Sequence, residues 1–65
     1  MRQNLKLART EAGLTQKEIA DGLGISERYY RYIEAGTREG KGQLWDKLEA
    51  QFLTPQRELR KTATG

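Results

Sequence analysis

The sequence predicts an all-α fold, a small bundle of five short helices, and three observations carry that expectation. Apolar residues recur three and four positions apart in each segment long enough to hold a helix, and nowhere do they alternate as a half-buried strand requires. Glycine, hydroxyl and proline residues punctuate those segments at 13–15, 24–26, 36–42 and 54–55, where helices stop and start. The chain has 65 residues, one domain near the lower limit at which an apolar core alone holds a fold. Residues 1–60 are read as that domain and residues 61–65, which lack apolar periodicity, as a frayed tail.

The elements follow in order. Residues 2–12 carry Leu5, Ala8 and Ala12 at helical spacing, with Leu7 on a neighbouring face, and Gly13 closes this first helix as its C-cap. Leu14 enters the core just ahead of Thr15, where it packs on the next helix as a staple. Thr15 is an N-cap whose hydroxyl accepts from an orphan amide of the first turn, and Glu18, three residues on, reaches back to complete a capping box. Ile19, Ala20 and Leu23 share one face with a small residue in its middle, so another helix can cross closely there. Gly24 tolerates the positive φ of a C-cap, Ile25 plugs the space between helices, and Ser26 caps the next helix at once. A turn of about three or four residues is the length found in a DNA-binding helix-turn-helix, not in a loose helical hairpin.

Residues 37–42, TREGKG, form the loop, with two glycines, two basic residues and no apolar one. From Gln43 the pattern LWDKLEAQF sets Leu44, Trp45, Leu48 and Phe52 on one broad face, a strongly amphipathic helix with Trp45 as the lid of the core. Thr54 as a cap, with Pro55 at the first helical position, opens a short fifth helix that buries Leu59.

Composition narrows the function classes. Hydrophobic residues make up 35% and charged residues 32%, but the apolar ones are spread through the chain, as a small helical domain requires and a disordered tail does not. No apolar run approaches the roughly 18 residues that cross a bilayer, and MRQNLKLART lacks the apolar block of a signal peptide, so a cytoplasmic protein without membrane contact is expected. There is no cysteine and no histidine, so disulfides, thiolate metal sites and the usual general bases are absent. The carboxylates are scattered on solvent-facing positions, and no cofactor, metal, small-molecule ligand or enzymatic activity is expected. Net charge +3 favours anionic partners only modestly. Dimerisation is expected on stability grounds.

On a wheel of about 100° per residue, Tyr29, Tyr30 and Ile33 cluster on one side of the third helix, while Glu27, Arg28, Arg31, Tyr32 and Ala35 occupy the other. The free side offers two guanidiniums, a phenol and a carboxylate near the positive end of a helix dipole, equipment for a major groove, where arginine pairs with guanine and a carboxylate accepts from cytosine. Glu27 is either base-directed or a local cap. Tyr30 belongs to the core beside Ile33, whereas the Tyr29 hydroxyl on the border reaches a phosphate or only water. Charges on an exposed helix face are commonly plain solvation, and it is the spacing of the two helices that favours a binding role for Arg28 and Arg31. Arg38 and Lys41 lie just past this helix, and Lys41 sits between two glycines whose free amides can approach a phosphate closely. Gln16, at the start of the second helix, can donate to a phosphate from its side chain and backbone, or be a plain surface residue.

These residues resemble the Xre/Cro type of helix-turn-helix regulators of phages and bacteria. The resemblance covers nearly the whole chain: Arg9, Gly13-Leu14-Thr15-Gln16, Ala20, Leu23-Gly24-Ile25-Ser26, Tyr29, Ile33-Glu34-Ala35-Gly36, Arg38 and Leu59. It implies a five-helix, lambda-repressor-like bundle acting as a homodimer on double-stranded DNA operators of two-fold symmetry. It further implies that Glu27, Arg28 and Tyr32 take positions that read bases, that Gln16 and the loop around Lys41 touch phosphates, and that Arg9 pairs with Glu34. Together with Arg31 on the free face, these are the expected base readers; Gln16, Ser26, Tyr29, Arg38 and Lys41 are the expected phosphate contacts. The Arg9–Glu34 pair also has a warrant in the sequence, as opposite charges flanking otherwise apolar faces.

The chain departs from the family pattern in three places. Glu39-Gly40-Lys41-Gly42 replaces the usual Asn-Pro-Ser and leads to the expectation of a longer, more mobile loop; Tyr30 stands where a branched aliphatic is usual; and Glu49 stands where a small apolar residue is. The leading reading is therefore a sequence-specific DNA-binding transcriptional regulator, a repressor of phage or mobile-element type. The alternative is a protein-interaction module of the same fold, an antitoxin or adaptor. No second domain for ligand sensing or self-cleavage is expected, and Phe52, Leu53 and Leu59 are the expected dimer contacts.

Overall fold

Five α-helices succeed one another along residues 1–62, the part of the chain that the computed structural model describes: α1 (Gln3–Glu11), α2 (Gln16–Leu23), α3 (Glu27–Ala35), α4 (Gly42–Phe52) and α5 (Gln56–Leu59). There is no strand among the described residues, and residues 63–65, most of the expected frayed tail, lie outside them. α2 packs on α3, while α1 spans α3 and α5, and α5 closes against α4.

The local rules operate as the sequence implies. Thr15 Oγ1 accepts from the Glu18 amide at 3.1 Å and the Thr15 amide donates to Glu18 Oε1 at 2.8 Å, so both halves of the capping box are made. α2 ends on Gly24 at φ +76°, and Ser26 Oγ accepts from the Tyr29 amide at 3.0 Å to start α3. Ile19, Ala20 and Leu23 are buried with Leu5, Tyr30, Ile33, Leu44, Trp45, Leu48 and Leu59 in one core, on which Leu14, Ile25, Tyr29 and Phe52 lean. Ala20 is fully buried, the small contact that lets two helices approach.

Four expectations need correction. Ala12, read on one face with Leu5 and Ala8, is exposed, because α1 buries only the stripe through Leu5 and Arg9. Gly13 is one residue past the cap of α1, which is Ala12, although it has the positive φ of +73° that suits a helix end. Thr54 does not cap α5: its hydroxyl donates to the Phe52 carbonyl at 3.0 Å, and Pro55 lies ahead of the helix. The first amide of α5, on Gln56, instead donates to Glu49 Oε2 at 3.1 Å. Glu49 thus serves from α4 as a remote cap, which accounts for a carboxylate where a small apolar residue is usual.

The fourth correction concerns the loop after α3. Trp45 Nε1 donates to the Glu39 carbonyl at 2.8 Å, and an Arg2 guanidinium nitrogen donates to the Arg38 carbonyl at 2.8 Å. Gly40 has φ +76°, and a Cβ there would stand 3.1 Å from both Ile33 Cδ1 and Trp45 Nε1. Glycine lets this loop lie flat on the core, so the loop is seated where the sequence suggested a loose one.

The Tyr30 ring is fully buried, and its hydroxyl, beside the Arg9–Glu34 pair, has no hydrogen-bond partner among the described residues. Burial pushes that hydroxyl well above its ordinary pKa, the Glu34 carboxylate adding to the rise and Arg9 opposing it. A phenol raised in the folded state contributes stability that is present below about pH 10, its unfolded value, and is lost as the pH climbs beyond it. Tyr30→Phe is therefore expected to stabilise the chain by about 1 kcal/mol near neutrality, by removing an unsatisfied buried hydroxyl, and to flatten the fall in melting temperature above about pH 10. Thermal melts of both proteins across that range check this; parallel alkaline falls would contradict it.

Candidate nucleic-acid interface

α3 is aimed by its two ends. The Ser26 cap starts it immediately after the Gly24–Ile25 turn, and Gly36 at φ +85° ends it. Its inner side, Tyr30, Ile33 and Glu34, is buried, while Arg28, Arg31, Tyr32 and Ala35 are exposed and Glu27 and Tyr29 are half-buried. The helical wheel sets Tyr30 and Ile33 inside and Arg28, Arg31, Tyr32 and Ala35 outside, as the structure does, while Tyr29 and Glu27, set on opposite sides, are both half-buried.

The outward side chains are paired with one another. Arg31 Nη2 donates to Glu27 Oε2 at 2.8 Å, and Arg28 Nε donates to the Tyr32 hydroxyl at 3.2 Å. The Arg38 guanidinium lies 5.9 Å from the centre of the Tyr32 ring, within reach of a cation–π contact. Glu27 thus neither caps the helix, which Ser26 does, nor stands as a bare negative charge. The i, i+4 spacing of both pairs is visible in the sequence and is the signal that could have revealed them.

Apart from Arg38, which lies against Tyr32, the candidate phosphate contacts separate into two groups. Tyr29 and Lys41 line one open groove together with Gln43 and Lys47, between the turn and the start of α4. Lys41 is the N-cap residue of α4, at the helix end whose first amides have no intrahelical acceptor. An anion is suited to such a place. Ser26 and Gln16 are engaged within the protein: Ser26 caps α3, and Gln16 Nε2 donates to Glu34 Oε1 at 3.3 Å.

Behind this surface lies a buried ion pair. Arg9 Nε donates to Glu34 Oε2 at 2.8 Å and Nη2 to Oε1 at 3.2 Å, a two-pronged pair whose side chains are 11% and 3% exposed. Arg9 Nη1 also donates to the Leu14 carbonyl at 2.8 Å, tying α1 to α3 and to the entry of α2. The hydrogen bond to Glu34 holds Arg9 above its ordinary pKa against the opposing effect of burial.

Arg2, 3% exposed, was not legible as a structural residue. Its guanidinium donates to the carbonyls of Ile33, Arg38 and Arg60 and lies 5.0 Å from the centre of the Trp45 ring, with Arg60 5.3 Å from the same ring. Its amide donates to the Glu34 carbonyl at 2.8 Å. Burial pulls its pKa down, with Arg60 acting in the same sense and Glu39 against it. One side chain near the start of the chain therefore fixes the end of α3, the loop and the end of α5.

Three comparisons bear on this geometry. A sequence model of the helix-turn-helix family matches residues 5–52, from α1 to the end of α4. The "Uncharacterized HTH-type transcriptional regulator YqaF" of Bacillus subtilis (strain 168) is 49% identical over 39 residues, 60% of this chain and 51% of that one, so the chain spans about half the length of this relative. No solved structure matches. A capped α2, a three-residue turn and an α3 with one buried and one polar side are what that match covers, and the chain belongs to the helix-turn-helix family, in its Xre/Cro type.

Proposed function

We propose that the chain is a DNA-binding transcriptional regulator that reads an operator in the major groove through the outward side of α3. The observation that carries this reading is the outward row of half-buried Glu27 and exposed Arg28, Arg31 and Tyr32 on a helix held by a tight turn, flanked by Arg38 and by Lys41 at the start of α4. Arg28, Arg31, Glu27 and Tyr32 would face bases. Tyr29, Arg38 and Lys41 would face phosphates, with the backbone amides beginning at Gln16 and Gly42. Gln16 can add a side-chain contact by turning from Glu34, and Ser26 contributes by presenting the start of α3.

A second copy would give a two-fold operator whose half-sites lie about 34 Å apart. Leu53, 90% exposed at the end of α4, and half-buried Phe52 are apolar residues available to that copy. Leu59 is not, being fully buried in its own core. The regulator would act in the cytoplasm as a repressor of phage or mobile-element type, occupying its site without a cofactor or small-molecule ligand.

Arg28→Ala is expected to weaken binding to the preferred site by roughly 1–3 kcal/mol per half-site while leaving binding to random DNA nearly unchanged. Lys41→Ala is expected to weaken all sequences alike and to lower the salt dependence by about one counterion per half-site. Titrations on specific and random duplexes at several salt concentrations measure both. Equal losses on both duplexes for both variants would overturn this division of labour.

A further inference from the structure

The row of side chains on α3 is two separate rungs, and the atoms each rung leaves free are different. In the first, Arg31 and Glu27 close an ion pair at 2.8 Å, with opposite charges cancelling at one edge of the face. In the second, Arg28 is held through Nε at 3.2 Å, and both terminal nitrogens, the fork that matches the O6 and N7 acceptors of guanine, have no partner among the described residues. Tyr32, which holds it, is constrained in turn: its hydroxyl oxygen accepts from Arg28, and its ring lies against the Arg38 guanidinium. Arg38 is fastened by its own carbonyl to the buried Arg2.

We propose that Tyr32 is a positioning residue: it orients Arg28, and Arg28 is the side chain that reads a guanine. The proposal rests on the DNA-reading function above and assigns its specificity within that site. A long guanidinium side chain loses rotamer freedom on docking, and a partner one helical turn away that fixes Nε while leaving the fork exposed removes part of that loss beforehand. A tyrosine that read a base directly would instead carry discrimination of its own at a base other than the one Arg28 reads. Arg38 backs the ring, so the loop that approaches the phosphate also steadies the reading arginine.

The test compares wild type, Arg28→Ala, Tyr32→Phe and the double variant on the duplex that wild type selects from random DNA and on its single-base substitutions, at one salt concentration. Tyr32→Phe keeps the ring and its contact with Arg38 and removes only the hydroxyl. Its expected effect is an about three- to tenfold loss of discrimination at the base position that Arg28→Ala flattens. Discrimination elsewhere and binding to random DNA stay within about twofold, and no further loss appears when the change is added to Arg28→Ala. Melting curves matching wild type accompany that result.

Loss of discrimination at a different base, a full additional loss in the double variant, or a Tyr32→Phe protein indistinguishable from wild type would each overturn the positioning role while leaving DNA reading intact. If wild type prefers no sequence, or Arg28→Ala flattens no position, the DNA-reading assignment of Arg28 fails first and the proposal falls with it.

Discussion

Replacing Glu34 by alanine is expected to cost about 3–5 kcal/mol of folding stability, because it leaves the Arg9 guanidinium buried without its carboxylate. The two-pronged contact at 2.8 and 3.2 Å disappears, and Gln16 loses its acceptor at the same moment. A domain of this size has only a few kcal/mol in hand, on the order of 3–5, so the variant should be largely unfolded at physiological temperature and bind DNA weakly for that reason. The intact pair is not thereby a large net source of stability, since desolvation offsets most of the attraction. Replacing both partners, Arg9→Met with Glu34→Leu, should consequently cost far less than Glu34→Ala alone. Urea unfolding of the three proteins separates these cases. A Glu34→Ala protein within about 1 kcal/mol of wild type would show that Arg9 finds other partners or water.

Arg2→Ala comes next in size, with an expected loss of roughly 2–4 kcal/mol. Three carbonyl oxygens, on Ile33, Arg38 and Arg60, lose a charged donor, and Trp45 loses the cation 5.0 Å from its ring centre. Lysine should recover less than half of the loss, because an ammonium on a flexible stem cannot span three acceptors that a planar fork reaches together. Urea denaturation of Arg2→Ala and Arg2→Lys measures both. Full recovery by lysine would reduce the role of Arg2 to its charge. The same substitutions release the Arg38 carbonyl, so the loop leading to Lys41 should become more susceptible to proteolysis before the rest of the chain unfolds.

The contrast between these two residues shows what kind of structure is legible in a sequence. Arg9 and Glu34 are side chains of opposite charge, so their types announce a pairing even across 25 positions. Thr15, Glu18, Gly24 and Ser26 act on backbone within four residues of themselves, and spacing alone defines their roles. Arg2 binds main-chain oxygens 31, 36 and 58 positions away, and a carbonyl carries no residue type to betray the contact. Glu49 was equally hard to read, since its partner is the amide of Gln56, seven residues on in another helix.

The interface was legible in outline and not in its internal wiring. The wheel separates Tyr30 and Ile33 from Arg28, Arg31 and Tyr32 because burial follows helical period. It treats the exposed residues as independent, however, whereas in the structure they are tied in pairs, with Tyr32 between two arginines. The loop departs from expectation for a steric reason: Gly40 can lie against Ile33, Leu44 and Trp45, a use of glycine that composition does not distinguish from flexibility.

The central claim, that the outward side of α3 reads DNA sequence, is tested most directly by selecting bound duplexes from a random pool with the intact chain. The expected result is one recurring half-site containing a guanine whose enrichment disappears with Arg28→Ala, repeated with two-fold symmetry at about one helical turn. A pool that stays random after repeated selection, or a recurring site unaffected by Arg28→Ala, would contradict it.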